Sequence, residues 1–114
     1  MTLRDVVVSS GFEKLTGEVG LDREVTGGYS SDLLSDVVAN SMRGDLWVTL
    51  QTHPNVVAVA TLKELAGIVF VNGRKPDADT LSRALEQGVP LLATSLPAFE
   101  LVGRLYEAGI RRKA

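Results

Sequence analysis

The chain has no cysteine, a single histidine, and only three Phe, two Tyr and one Trp in 114 residues. Each shortage excludes something. Without cysteine there is no disulfide, no thiolate nucleophile and no cysteine-ligated metal. With His53 as the only histidine, a multi-histidine metal site within one chain is excluded too. With so few aromatic rings, Val, Leu and Ala must build the core, a choice that suits a parallel sheet covered on both faces. Positive charge is also in short supply. Twelve Lys and Arg stand against 14 Asp and Glu, for a net charge of −2 and a pI near 5.3. This argues against a dedicated nucleic-acid binder, which carries a basic face. Arg111-Arg112-Lys113 reads as a solvated terminus. No apolar run approaches the ~20 residues of a membrane span, and no basic segment leads into an apolar one at the start. The expectation is one cytoplasmic domain over residues 1–114, with no metal and no cofactor.

What is present is enough to fill a core: 45% hydrophobic residues and a mean hydropathy of +0.14. At this length a domain buries roughly 65% of its unfolded surface. Thr2 can cap a first helix through Leu3, Val6, Val7 and Val8, stopped at Gly11. Phe12 to Leu15 reads as a short strand, and Thr16 to Asp22 as a loop. Val25 to Tyr29 is a strand end or a tight loop. Ser30 or Ser31 then caps a helix with Leu33, Leu34, Val37, Val38 and Met42 on one face. From Gly44 the pattern is regular. Strand Leu46–Leu50 precedes helix Pro54–Leu65, strand Ile68–Val71 precedes helix Asp77–Gln87, and strand Pro90–Thr94 precedes helix Ala98–Ala108. Three β-then-α units in a row predict parallel strands with right-handed crossovers, hence an α/β fold, a three-layer α/β/α sandwich with a mostly parallel sheet.

In such sheets ligands bind beyond the carboxyl ends of strands. Gln51-Thr52-His53-Pro54-Asn55 sits at one such end, where a strand hands over to a helix. His53 could exchange hydrogen bonds or act as a base. The bland alternative is that Thr52 caps the helix, Pro54 opens it and His53 is a surface side chain. Asn72-Gly73-Arg74 ends the next strand. There Gly73 could let a ligand approach and Arg74 could pair with an anion, or Asn72 and Gly73 could simply form a left-handed turn before a helix capped by Asp77. Gly27-Gly28-Tyr29-Ser30-Ser31-Asp32 joins two glycines to a helix start. It could hold an anion or be a plain turn with a serine cap, and Asp32 in the first turn works against the anion. Neither a dinucleotide fingerprint nor a P-loop is present. The last helix carries Phe99, Leu101, Val102, Leu105 and Tyr106 over much of its circumference, as expected for a helix covered on two sides or for a subunit interface.

Taken together, the segments Gly28 to Val37, Thr49 to His53, Ala66 to Gly73 and Val89 to Thr94 resemble the DRTGG domain family, most of all its stand-alone members. The resemblance covers nearly the whole chain and implies a fold like the N-terminal domain of HPr kinase. Beside CBS domains in regulated pyrophosphatases, the family looks like a sensory or dimerising module, with adenine nucleotides as the suggested ligands. The name-giving motif is replaced here. The usual Asp-Arg aligns with Thr52-His53, and the usual Thr-Gly-Gly with Val71-Asn72-Gly73. The letters of Asp22-Arg23 and Thr26-Gly27-Gly28 echo that motif at the wrong place in the pattern. A kinase of the HPr type needs a P-loop, which this chain lacks.

The leading expectation is therefore a non-catalytic, homodimeric regulatory module. It would bind a small anionic ligand, such as an adenine nucleotide, in one cleft lined by Gly28, Tyr29, Asp32, Gln51, Thr52, His53, Asn72 and Gly73. The second reading is an interaction subunit that docks on a redox or signalling enzyme and takes no small ligand. The third is a small acid–base enzyme with His53 as base and Asp32 or Asp36 as its partner.

Overall fold

The computed structural model describes residues 1–112. Four strands run parallel and in sequence order: β2 (Gly27–Ser30), β3 (Asp45–Thr49), β4 (Gly67–Phe70) and β5 (Leu91–Ala93). A short β1 (Glu13–Lys14) lies antiparallel outside β5. Between the parallel strands come α2 (Leu34–Asn40), α3 (Asn55–Lys63) and α4 (Ala78–Gln87), while α1 (Leu3–Ser10) precedes the sheet and α5 (Ala98–Glu107) follows it. Right-handed crossovers that step one way along a sheet put their helices on one face. Accordingly, Val37, Val56, Val57, Ala60 and Ala84 of α2–α4 pack with Trp47, Ile68, Phe70 and Leu91. The opposite face is left to α1 and α5, whose Leu3, Val6, Leu101 and Leu105 pack with Leu46, Val48, Val69 and Leu92. The expected three layers are all present. Strands β3, β4 and β5 are buried along their whole length, which is why they read as unbroken apolar runs rather than alternating ones.

The helix ends follow local chemistry. Thr2 and Asp5 form a reciprocal capping box at α1, and Gly11 closes that helix in the left-handed region. The Asp77 side chain accepts from the Thr80 N–H at the start of α4. Helix α3 ends on Glu64 at φ 53, a left-handed position held by a non-glycine residue.

Three expectations change. The parallel sheet gains a fourth strand, because Gly27–Ser30 pairs with β3. Two glycines with little strand propensity hid it. Helix α2 has no serine cap: the Ser31 hydroxyl accepts from the Leu33 N–H two residues too early, and Leu33 takes the cap position without a side-chain bond. Of that helix's expected apolar face only Val37 is buried, with Leu33 and Met42 exposed. The basic tail is not simply solvated. Arg112 makes a 2.8 Å ion pair with Asp45, which is buried, and donates to the Asn40 carbonyl. Lys113 lies outside the described residues.

Candidate functional site

The loops after β3 and β4 stand side by side at the carboxyl edge of the sheet. The Val71 N–H donates to the Thr49 carbonyl, and the Thr80 hydroxyl donates to the Thr52 carbonyl across 3.0 Å. The loop after β5 closes the row, its Leu96 and Thr94 carbonyls accepting from the Asn72 and Gly73 N–H groups. Asn72 and Gly73 adopt φ 57 and 69, the left-handed turn considered from the sequence. With those N–H groups already bonded, this turn offers a ligand side chains rather than a backbone nest.

His53 takes the capping role that the sequence gave to Thr52. Its Nδ1 accepts from the Asn55 N–H at 3.1 Å, while the His53 N–H donates to Gln51 Oε1 at 3.2 Å. An Nδ1 that accepts carries no proton, so the neutral ring holds its proton on Nε2. His53 is exposed, and that Nε2–H is a donor the helix cap does not use. Asp32 is engaged inward. One carboxylate oxygen accepts from the Thr49 hydroxyl at 2.9 Å and from the Leu50 N–H at 2.7 Å, tying the end of β2 to the end of β3.

Gly28 and Tyr29 lie apart from these residues. They line a groove of about 170 Å³ between the edge strand β2 and α5, with Val102, Leu105 and Tyr106 on its far wall. None of Asp32, Gln51, Thr52, His53, Asn72 and Gly73 lines that groove. The eight residues expected in one cleft thus fall into a strand-end group and an edge-strand pair. The Tyr29 hydroxyl donates to Asp36 at 2.8 Å, and Asn40 donates to the other oxygen of the same carboxylate. The guanidinium of Arg112 sits 5.4 Å from the Tyr29 ring centre. Neither Asp32 nor Asp36 shares a hydrogen bond with His53 among the described residues.

Three of these groups titrate abnormally. The hydroxyls of Ser31 and Tyr29 and the amide of Asn40 hold the Asp36 carboxyl below its ordinary 3.8. The Thr80 N–H and hydroxyl do the same for Asp77. The bond to Asp36, together with burial, pushes the Tyr29 phenol up. A carboxyl lowered in the folded state contributes stability above its unfolded pKa and loses it as pH falls through the lowered value. Urea denaturation should therefore show falling stability below about pH 4. The fall should be shallower in Asp36→Asn, and an identical profile would remove Asp36 from this account.

One feature went unseen in the sequence and another was only half seen. Arg23 donates to the Leu65 and Gly88 carbonyls, which follow α3 and α4, at 3.2 and 2.6 Å. It stands in a cavity of about 530 Å³ with Thr26, Arg43 and Glu64, at the amino ends of β3 and β4. A single Arg in a loop carries no periodic signal of this. The other is the outer stripe of α5, where Phe99 is 87% exposed. The apolar pattern announced that stripe but not that it stands bare.

The fold is a three-layer α/β/α sandwich with a sheet whose parallel strands run in sequence order. The sequence matches no protein-family model and no curated protein. Among solved structures, the fold is similar to the CBS and DRTGG domains of the regulatory region of Clostridium perfringens pyrophosphatase, in complex with the activator diadenosine tetraphosphate. The TM-score is 0.68 at 12% sequence identity, over 90% of this chain and 44% of that one. The chain thus spans less than half the length of its neighbour. The likeness is one of fold, and the neighbour is a regulatory region rather than a catalytic one.

Proposed function

We propose that the chain is a non-catalytic regulatory module that senses a small anionic ligand, an adenine nucleotide first among candidates, and works as a dimer. The fold it shares with an activator-bound regulatory region, across 90% of its length, carries this reading. The strand-end group supports it. Loops from neighbouring parallel strands bring Gln51, Thr52, His53 and Asn72 to one edge of the sheet, where ligands of open α/β folds bind. There the ligand would meet side chains: the Nε2–H of His53, the Asn72 amide and the exposed Arg74, with Gly73 leaving room. Gly28, Tyr29 and Asp32 then serve the site from outside, Asp32 by holding the β3 end in place.

Thermal denaturation against adenine and guanine nucleotides and diadenosine polyphosphates tests this. A ligand at 100 times its dissociation constant adds about 2.7 kcal/mol, or roughly 10 °C in a domain of this size. His53→Ala is a poor control, since it also removes the acceptor for the Asn55 N–H. His53→Asn keeps a capping acceptor and removes the imidazole. It should melt close to the parent and lose most of the ligand shift. A flat panel would sink the sensing reading and favour a subunit that docks on a partner enzyme.

A further inference from the structure

We infer that the open edge of β2 takes the carboxyl-terminal tail of a partner protein, which adds to the sheet as an antiparallel strand and sets its terminal carboxylate against Arg111. This goes beyond ligand sensing and does not rest on it. The two edges of the sheet are built differently. A free edge strand invites pairing, and proteins blunt it with charge, proline or brevity. The β1 edge is two residues long and both are charged, with Lys75 3.1 Å from Glu13. The β2 edge carries glycine, glycine, tyrosine and serine, with no charge and no proline. It ends the strand order, with β3 as its one neighbour. The Ser31 N–H donates to the Val48 carbonyl. Alternation along the strand then turns the backbone N–H and C=O of Tyr29 toward β3, and those of Gly28 and Ser30 away from it. Gly28 and Ser30 are exposed, and among the described residues no hydrogen bond reaches their outward groups.

The groove beside that edge selects the occupant. It encloses about 170 Å³ against Val102, Leu105 and Ile110. A cavity of about 150 Å³ holds benzene, so the groove has room for one aliphatic or Phe side chain. Its lining holds Arg111 and Arg112 and neither Asp nor Glu, in a chain whose net charge is −2. Arg112 is occupied by Asp45. Arg111 stacks 4.4 Å from the Tyr106 ring centre and makes no ion pair among the described residues. Glu107, one turn earlier on α5, lines the outer stripe with Phe99 and not this groove. The nearby Asp36 is taken up by Tyr29 and Asn40. Direction follows from where the arginines stand. Arg112 lies over Gly27 and Ile110 over Gly28, so the positive end of the groove is the amino end of β2. A strand antiparallel to β2 finishes there and delivers a carboxylate, which a guanidinium grips with paired N–H groups. A strand parallel to β2 would bring an ammonium there instead. Strand addition takes its affinity from main-chain bonds and its specificity from pockets for alternate side chains, and the open edge and the groove supply one of each.

An array of random peptides with free carboxyl termini, probed with the whole chain, should select Leu, Ile, Val or Phe at the last position. A fluorescein-labelled peptide of the selected sequence then serves as the probe in anisotropy titrations. Replacing its terminal carboxylate by an amide should weaken binding at least about tenfold, and so should Arg111→Ala in the protein. The two losses should not add, because both remove one contact. Strand addition has a signature of its own. N-methylation of the peptide should abolish binding at alternate positions, those paired with Gly28 and Ser30, and leave it unchanged at the positions between. Val102→Glu places a carboxylate in the groove at a partly exposed position. It should melt with the parent and lose the peptide. An array with no preference at the last position, equal binding of acid and amide, or N-methyl losses without alternation would each overturn the site. Equal binding of acid and amide would point instead to an internal strand or a second copy of this chain.

Discussion

Trp47→Ala should destabilise the chain by about 3 to 5 kcal/mol, the usual cost of emptying a fully buried tryptophan site. Trp47 has no exposed surface and is the largest side chain of the cluster between the sheet and α2–α4. A loss of that size is a large share of the 5–15 kcal/mol typical of a domain, so the melting temperature should fall by roughly 15 °C. The indole also does local work, since its Nε1–H donates to the Ser31 carbonyl at 2.8 Å. Ser31 precedes Asp32, whose carboxylate holds the end of β3. Trp47→Phe keeps most of the packing but leaves that carbonyl unpaired, at a cost of about 1 to 2 kcal/mol. Its second consequence should be faster amide exchange at Leu50, the N–H that Asp32 accepts. Exchange at Leu50 unchanged in Trp47→Phe would break the link from core to strand end. A loss under about 1 kcal/mol in Trp47→Ala would contradict the packing itself.

Periodicity made the second half of the chain readable, cap chemistry made α1 readable, and the lack of either hid β2. Strands β3, β4 and β5 carry unbroken Leu, Val, Ile and Phe, and helices α4 and α5 begin at Asp77 and Pro97 as cap and breaker chemistry require. Strand β2 has no such signature. Its residues are Gly, Gly, Tyr and Ser, and only its pairing with β3 makes it a strand. The strand-end loops were legible as positions but not as bonds. The sequence places polar residues at 51–55 and 72–74. Only the fold reveals that His53, not Thr52, caps α3, or that both left-handed N–H groups at Asn72 and Gly73 are already bonded. A single cleft requires convergence, which depends on where each residue lies relative to the strand's end. Gly28 and Tyr29 lie inside β2 and line the groove beside α5, while Asp32, beyond the strand's end, turns to Thr49 and Leu50. A motif reads these neighbours together, and the end of the strand separates them.

The tail supplies the other large effect. Arg112→Ala should cost about 2 to 3 kcal/mol, against the near-zero change of a solvated terminus. Asp45 is 1% exposed, and its carboxylate has two partners, the Met42 N–H and Arg112, both at 2.8 Å. Removing the guanidinium leaves a buried charge without its counterion. The full penalty for breaking a buried pair is about 3–5 kcal/mol, and the cost is lower here because the Arg112 side chain is 39% exposed, which lets water reach the carboxylate once the guanidinium is gone. Asp45→Asn removes the charge itself and should cost less than Arg112→Ala. Gly27 is part of the same construction. A Cβ there would stand 2.7 Å from Asp45 Oδ1 and 3.2 Å from Arg112 Cγ, so Gly27→Ala must displace the pair, at about 1 to 3 kcal/mol. Because both changes strike one contact, they should not add. Gly27→Ala should cost less in the Arg112→Ala background, with a coupling of about 1 kcal/mol in a double-mutant cycle. Full additivity, or an Arg112→Ala chain within about 0.5 kcal/mol of the parent, would return the tail to solvent. If the coupling is found, β2 owes Gly27 to the tail that crosses it: Arg112 closes over Gly27, sets a guanidinium against Tyr29 and forms part of one wall of the groove beside α5.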